Sequence, residues 1–244
     1  MKQAAFQSEP GDVLLRDADR GQWLRFRRPR RVLAARSPGD VPGLLREMEE
    51  RIAADRLFAA GCLSYEAAPG INPACETHPA DDFPCAWIGL YAEPDVVDPP
   101  PPRGGPDPVD WTPECSREAY RRAIADIRQR IRRGDTYQVN YTYRLRAALD
   151  GRAENLFARL LDAQGPCYGA YADLGDWAVC SASPELFFSL RDGCVRSSPM
   201  KGTAGRKSAR GSASFSRRSP SARCSRTSPR PTSSSPTRNT TRWR

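Results

Sequence analysis

Two charged side chains in this sequence stand where acid–base and nucleophilic chemistry would need them. Glu185 follows Pro184 in the run SPELF (Ser183–Phe187), and Lys201 lies sixteen residues later, between Met200 and Gly202, in PMKGT (Pro199–Thr203). A third run, GDTYQVNYT (Gly134–Thr142), alternates amide and hydroxyl side chains with apolar ones. A lysine attacks only as the free amine, and at its ordinary pKa near 10.4 about one molecule in two thousand holds that form at neutral pH. Burial or nearby positive charge must lower the pKa before such a residue is useful. A neighbouring carboxyl group could serve as a general acid or base. The residues alone leave a second reading open, an exposed cross-strand ion pair between Glu185 and Lys201. Gly202 and Thr203 either end a strand in a turn or offer close backbone and a hydroxyl to a ligand. Gln138, Asn140 and Thr142 either shape a pocket or form a solvated strand face.

Other chemistries find little support. His78 is the only histidine and sits in a loop rich in Pro and Asp, which argues against Ser-His-Asp and Cys-His sites. Cys62, Cys75, His78 and Cys85 match no common zinc spacing, and the metal-ligand reading is set aside for ordinary loop and core cysteines. Neither GxxxxGK[ST] nor GxGxxG occurs.

The elements that must position these residues can be read from periodicity. Strands are expected at Val13–Leu15, Gln22–Phe26 and Arg31–Ala35, followed by a helix from Val41 to Asp55 capped by Asp40. Two further strands are expected near Leu57–Tyr65 and Cys85–Tyr91. Residues 94–110 contain four successive prolines and read as an extended linker. Beyond it, Ser116 caps a helix to Arg133 with Tyr120, Ile124, Ile127 and Ile131 on one face, and Gly134 stops it. Asp135–Arg146 alternates with period two and predicts a long strand. A short helix at Ala153–Ala163 precedes strands at Tyr168–Ala172, Trp177–Ala182, Glu185–Leu190 and Cys194–Ser198. Gly175 and Asp192-Gly193 supply tight turns, so these strands must be antiparallel. The fold class is therefore α+β, helices packed on antiparallel sheet.

Charge is distributed unevenly. The chain of 244 residues carries a formal +9, yet Lys207–Arg244 holds nine Arg, one Lys and no Asp or Glu, which leaves residues 1–206 near neutral at −1. A nucleic-acid interface in the body loses its support, and only the basic Ser/Arg/Pro tail, 205–244, could bind anionic partners. That tail has no periodicity and few large apolar residues, so disorder is expected there. The eight cysteines form no CxxC pair. No run approaches the ~20 apolar residues that cross a bilayer, and the N-terminus has no signal-peptide pattern. A cytoplasmic protein with reduced cysteines and no membrane association is expected.

The runs GDTYQVNYT, SPELF and PMKGT, in that order, resemble the aminodeoxychorismate synthase component I (para-aminobenzoate synthase component I) family. It belongs to the chorismate-binding superfamily with the anthranilate and isochorismate synthases. CLSYEAA (Cys62–Ala68) is also similar to that family's N-terminal half, and the resemblance spans roughly residues 57–206. It implies an anthranilate synthase component I-like fold, with an N-terminal α/β region at 1–93 and the first part of a chorismate-binding domain at 111–204. It implies that Lys201 attacks the chorismate ring, that Glu185 protonates the leaving hydroxyl, and that Gly202 and Thr203 touch substrate. It further implies Mg²⁺, and ammonia delivered by a glutamine amidotransferase subunit. Lysine at 201 favours the aminodeoxychorismate enzymes over anthranilate synthases, which usually carry a small residue there. Component I enzymes continue beyond PMKGT with an acidic helical segment and further strands that supply the metal-binding glutamates. Here the sequence turns to Ser, Arg and Pro after Ala204. With 35 Arg against 3 Lys, a reading-frame change in GC-rich DNA accounts for this, and a basic tail on a non-catalytic protein is the competing account. Either way the chain as it stands is expected to lack turnover.

Overall fold

A computed structural model of the chain describes residues 6–101, 110–149, 151–165, 168–191 and 193–198. The chain divides into two units, Met1–Pro184 and Glu185–Arg244. The first unit contains strands β1 (Val13–Asp17), β2 (Gln22–Phe26) and β3 (Arg31–Ala35), helix α1 (Val41–Asp55), β4 (Phe58–Leu63), the one-turn helix α2 (Ala68–Ile71), and β5 (Ala86–Tyr91). It continues with β6 (Asp95–Val97), β7 (Thr112–Pro113), α3 (Arg117–Arg133), β8 (Leu145–Arg146), α4 (Ala153–Gln164), β9 (Tyr168–Asp173) and β10 (Ala178–Ser183). The described part of the second unit is the hairpin β11 (Leu186–Arg191) and β12 (Cys194–Ser198).

Two antiparallel sheets stack in the first unit, one ordered β10-β9-β1-β2-β6 and the other β3-β5-β4. Alternation along each strand assigns successive side chains to opposite layers. Val13 joins Phe26, Ala60, Trp87, Tyr91 and Ala172 between the sheets, whereas Leu14 joins Trp23, Phe157 and Tyr171 beneath α4. On the far side, Ala86, Ile88 and Leu90 meet Val41 and Leu44 of α1. The order of layers is helix, sheet, sheet, helix, and β5 is buried along its whole length because it has a neighbour on every side. Gly169 permits the close seat of α4, since a Cβ there would lie 2.6 Å from the Trp23 ring and 2.9 Å from Leu161. The α+β class read from the sequence is the one observed.

Several local expectations change. Asp40 makes no side-chain cap; it ends a 3-10 turn, Pro38–Asp40, whose own cap is Ser37 accepting from the Gly39 amide. Asp95–Val97, inside the proline-rich stretch, is an edge strand on β2. The sheet that contains it draws strands from both sides of that stretch. The long strand predicted at Asp135–Arg146 is reduced to Leu145–Arg146, paired with Thr112–Pro113. Its period-two pattern is present, but among the described residues 135–144 has no ladder partner. Tyr141 and Tyr143 instead pack against Tyr120 of α3, with ring centroids 5.7 and 5.9 Å apart.

Candidate active site

Glu185 is placed by chain geometry on either side of it. Pro184 separates it from the end of β10, and β11 begins at the next residue. Leu186 pairs with Ser198, the last residue of β12, so Glu185 stands at the open end of the hairpin, away from the turn at Gly193. The register slips between Leu186 and Ser189, leaving Phe187 and Phe188 opposite Ser197, whose hydroxyl donates to the Phe187 carbonyl at 2.7 Å. A bulge of this kind bends the strand and re-aims the side chains beside it. Glu185 is exposed. Lys201, Gly202 and Thr203, like the whole of PMKGT and the tail, lie outside the described residues.

The polar face of 135–146 is solvated. Gln138, Asn140 and Thr142 are all exposed, and Gln138 Nε2 donates to Asn140 Oδ1 at 3.3 Å. Arg144 at the end of this segment lies 3.9 Å from Glu66 and 3.8 Å from Asp81. Glu66 belongs to CLSYEAA, and Arg144 lies two residues beyond the end of GDTYQVNYT. A shallow opening of about 570 Å³ beside β7 and β8, lined by Asp110–Thr112 and Leu145–Ala148, contains none of the predicted site residues.

A buried polar node escaped the sequence reading. Ser8 donates its amide to Glu154 Oε1 at 2.9 Å, and its hydroxyl lies 3.0 Å from Glu154 Oε1, 2.9 Å from the Tyr171 hydroxyl and 2.7 Å from Asp173 Oδ2. Arg152 caps the same carboxylate. Burial pushes Glu154 up, but the Arg152 bond and the Ser8 amide outweigh it and hold the carboxyl at about 2. Burial pushes Tyr171 up to about 12 and the Cys180 thiol up to about 11. Beside the node, Arg25 binds the buried Asp12 carboxylate at 2.6 Å and lies over the Phe6 ring. The partners are 146 to 165 residues apart, so no local pattern could have marked them.

The sequence profile of the chorismate binding enzyme family matches residues 91–214, just over half of the chain, and takes in all three runs described above. The chain belongs to the chorismate-binding enzyme family. It is 37% identical over 93 residues to aminodeoxychorismate synthase component 1 of Klebsiella aerogenes, covering 38% of this chain and 21% of that protein. Against the Escherichia coli K12 protein of the same name it is 31% identical over 94 residues, with shares of 38% and 21%. It is 36% identical over 97 residues to anthranilate synthase component 1 of Aeropyrum pernix, with shares of 40% and 22%. The aligned stretch thus spans about a fifth of these relatives' length. The family match begins at the last residue of β5, so β9 and β10 of the matched region pair into a sheet whose other strands include β1 and β2 from outside it. Among the described residues no group of three His, Cys, Asp or Glu side chains comes together as a metal ion would require. They do not supply an Mg²⁺ ligand set. No helix among the described residues is long and apolar enough to cross a membrane.

Proposed function

We propose that the protein represented by this chain aminates chorismate to 4-amino-4-deoxychorismate, on the route to para-aminobenzoate and folate. The observation that carries this reading is the lysine at position 201 in PMKGT, sixteen residues after the glutamate of SPELF. Similarity to proteins named aminodeoxychorismate synthase component 1 supports it. In the proposed reaction the free amine of Lys201 forms a C–N bond to the chorismate ring as the C4–O bond breaks. Glu185 gives its proton to the departing oxygen, which leaves as water. Ammonia then bonds to C4 and the lysine amine is expelled, and one proton of the incoming ammonium returns to the Glu185 carboxylate. Gly202 and Thr203 hold the acid substrate. The designation component 1 implies a second component, and a glutamine amidotransferase subunit is the proposed source of ammonia.

We further propose that the 244-residue chain is a truncated form without turnover, its tail produced by a reading-frame change. The absence of any carboxylate from Lys207 to Arg244 supports this. Translating the coding DNA in the other two frames from Lys201 tests it: one frame is expected to resume with an acidic, Leu-rich sequence. If neither does, the frame-change account fails. In the in-frame protein, Lys201→Ala is expected to abolish or redirect chorismate amination. An unchanged product and rate would remove Lys201 from the mechanism.

The similarity to the Aeropyrum pernix anthranilate synthase component 1 favours a second reading, amination at C2 to give anthranilate. Product analysis of the in-frame protein with chorismate and ammonia separates the two, since 4-amino-4-deoxychorismate and anthranilate differ in mass and fluorescence.

A further inference from the structure

The β11–β12 hairpin holds two registers. Next to its turn, Arg191 pairs with Cys194, Leu190 with Val195 and Ser189 with Arg196. Toward the open end Leu186 pairs with Ser198, so Phe187 and Phe188 together stand opposite Ser197 alone. A ladder that kept the first register would set Phe187, not Leu186, opposite Ser198. β11 thus carries one extra residue, a bulge between the turn and Glu185. Side chains alternate with a period of two, so one extra residue reverses the face taken by everything on its far side. Glu185 lies on that far side, one residue before Leu186. A bulge also interrupts the ladder and leaves main-chain groups in need of another partner. The Phe187 carbonyl finds one in the Ser197 hydroxyl, which donates to it across the hairpin at 2.7 Å.

We propose that Ser197 is a positioning residue for Glu185: its hydroxyl holds the bulge of β11, and the bulge sets the face on which the carboxyl group leaves the strand. The inference rests on the reading of Glu185 as the acid that protonates the departing oxygen. Proton donation needs the carboxyl group within hydrogen-bond reach of that oxygen, and the opposite face of the strand takes it out of reach. Ser197 acts through the register and touches no reacting atom. An alanine at 197 has no hydroxyl to offer the Phe187 carbonyl, and the regular ladder then competes with the bulged one. A hydrogen bond of ordinary net strength shifts the balance between two such registers by about fivefold.

Nuclear Overhauser contacts across the hairpin of the full chain report the register directly. The unsubstituted chain is expected to show Leu186 against Ser198 and Ser189 against Arg196. In Ser197→Ala a second set, with Phe187 against Ser198, is expected to appear, and the ratio of the first set to the second to fall by about fivefold. Ser197→Thr keeps the hydroxyl and is expected to keep the single set. In the in-frame protein, Ser197→Ala is expected to lower kcat by about threefold or more and to leave KM within about twofold, because Glu185 acts in the transition state and not in binding. Ser197→Thr is expected to restore kcat. Unchanged contacts in Ser197→Ala overturn the proposal. So does a Ser197→Thr variant as impaired as Ser197→Ala, or an active in-frame protein whose kcat does not respond to Ser197→Ala. An in-frame parent that does not aminate chorismate would instead overturn the reading of Glu185, while the contacts in the chain itself still decide whether Ser197 sets its face.

Discussion

At the scale of single residues, the most consequential side chain outside the predicted site is Glu154. It is 5% exposed and ionised because Arg152 and the Ser8 amide offset the cost of burying it. Its folded pKa, about 2, lies below the ordinary glutamate value, so the stabilisation it contributes is complete above about pH 4.5. It is lost as pH falls from there through about 2. Glu154→Gln is expected to lower stability by about 2–3 kcal/mol at neutral pH, and the gap to the parent should shrink by about half near pH 3. Urea unfolding at the two pH values measures this, and an equal gap at both would show that the charge contributes nothing. Tyr91 makes a comparable link between the sheets: fully buried, its hydroxyl donates to the Gly11 carbonyl at 2.7 Å. Tyr91→Phe leaves that carbonyl without its donor and is expected to cost about 1–3 kcal/mol in the same assay.

At the scale of elements, α3 has ends that are specified more strongly than its middle. Ser116 accepts from the Ala119 amide at 3.1 Å, and Gly134 closes the helix at φ 84° while its amide bonds back to the last turn. Three arginines in that turn, Arg130, Arg132 and Arg133, favour the negative end of the helix dipole. Yet no residue of α3 is buried, and Tyr120 and Ile131 remain exposed. Stability therefore depends on the caps. Ser116→Ala is expected to destabilise α3 by about 1 kcal/mol, and Gly134→Ala by a similar amount because φ there is left-handed. Exchange rates of the α3 amides report both; unchanged rates in Ser116→Ala would mean that the cap carries no weight.

At the scale of the whole molecule, burial is graded. β5 lies between β3 and β4 and between α1 and the larger sheet, and each of its six residues is buried. In the β11–β12 hairpin, Phe187, Phe188, Leu190 and Val195 are all more than half exposed. Two-stranded hairpins are marginal in water, and opening free energy follows buried apolar contact. Amides of β5 are accordingly expected to exchange only by global unfolding and those of β11–β12 many times faster. Equal protection in the two would contradict this gradient. The hairpin that presents Glu185 is thus the less protected part of the described fold.

Sequence alone determined those features whose causes are local. The apolar face, cap and stop of α3, the tight turns and the strand alternation each depend on residues a few positions apart, and the observed elements follow them closely. The order and spacing of SPELF and PMKGT likewise identified the family, because those runs are continuous in the chain. Pairing partners were a different matter. Asp135–Arg146 has the alternation of a strand, but a strand also needs a neighbour to take its hydrogen bonds, and periodicity does not supply one. The Ser37 turn displaced Asp40 as a cap because Pro38 starts helical geometry earlier. The Ser8–Glu154–Tyr171–Asp173 node and the stacking of the two sheets came only from tertiary structure. Each arises where residues remote in sequence are brought together, and burial then decides which of their charges and hydrogen bonds carry weight.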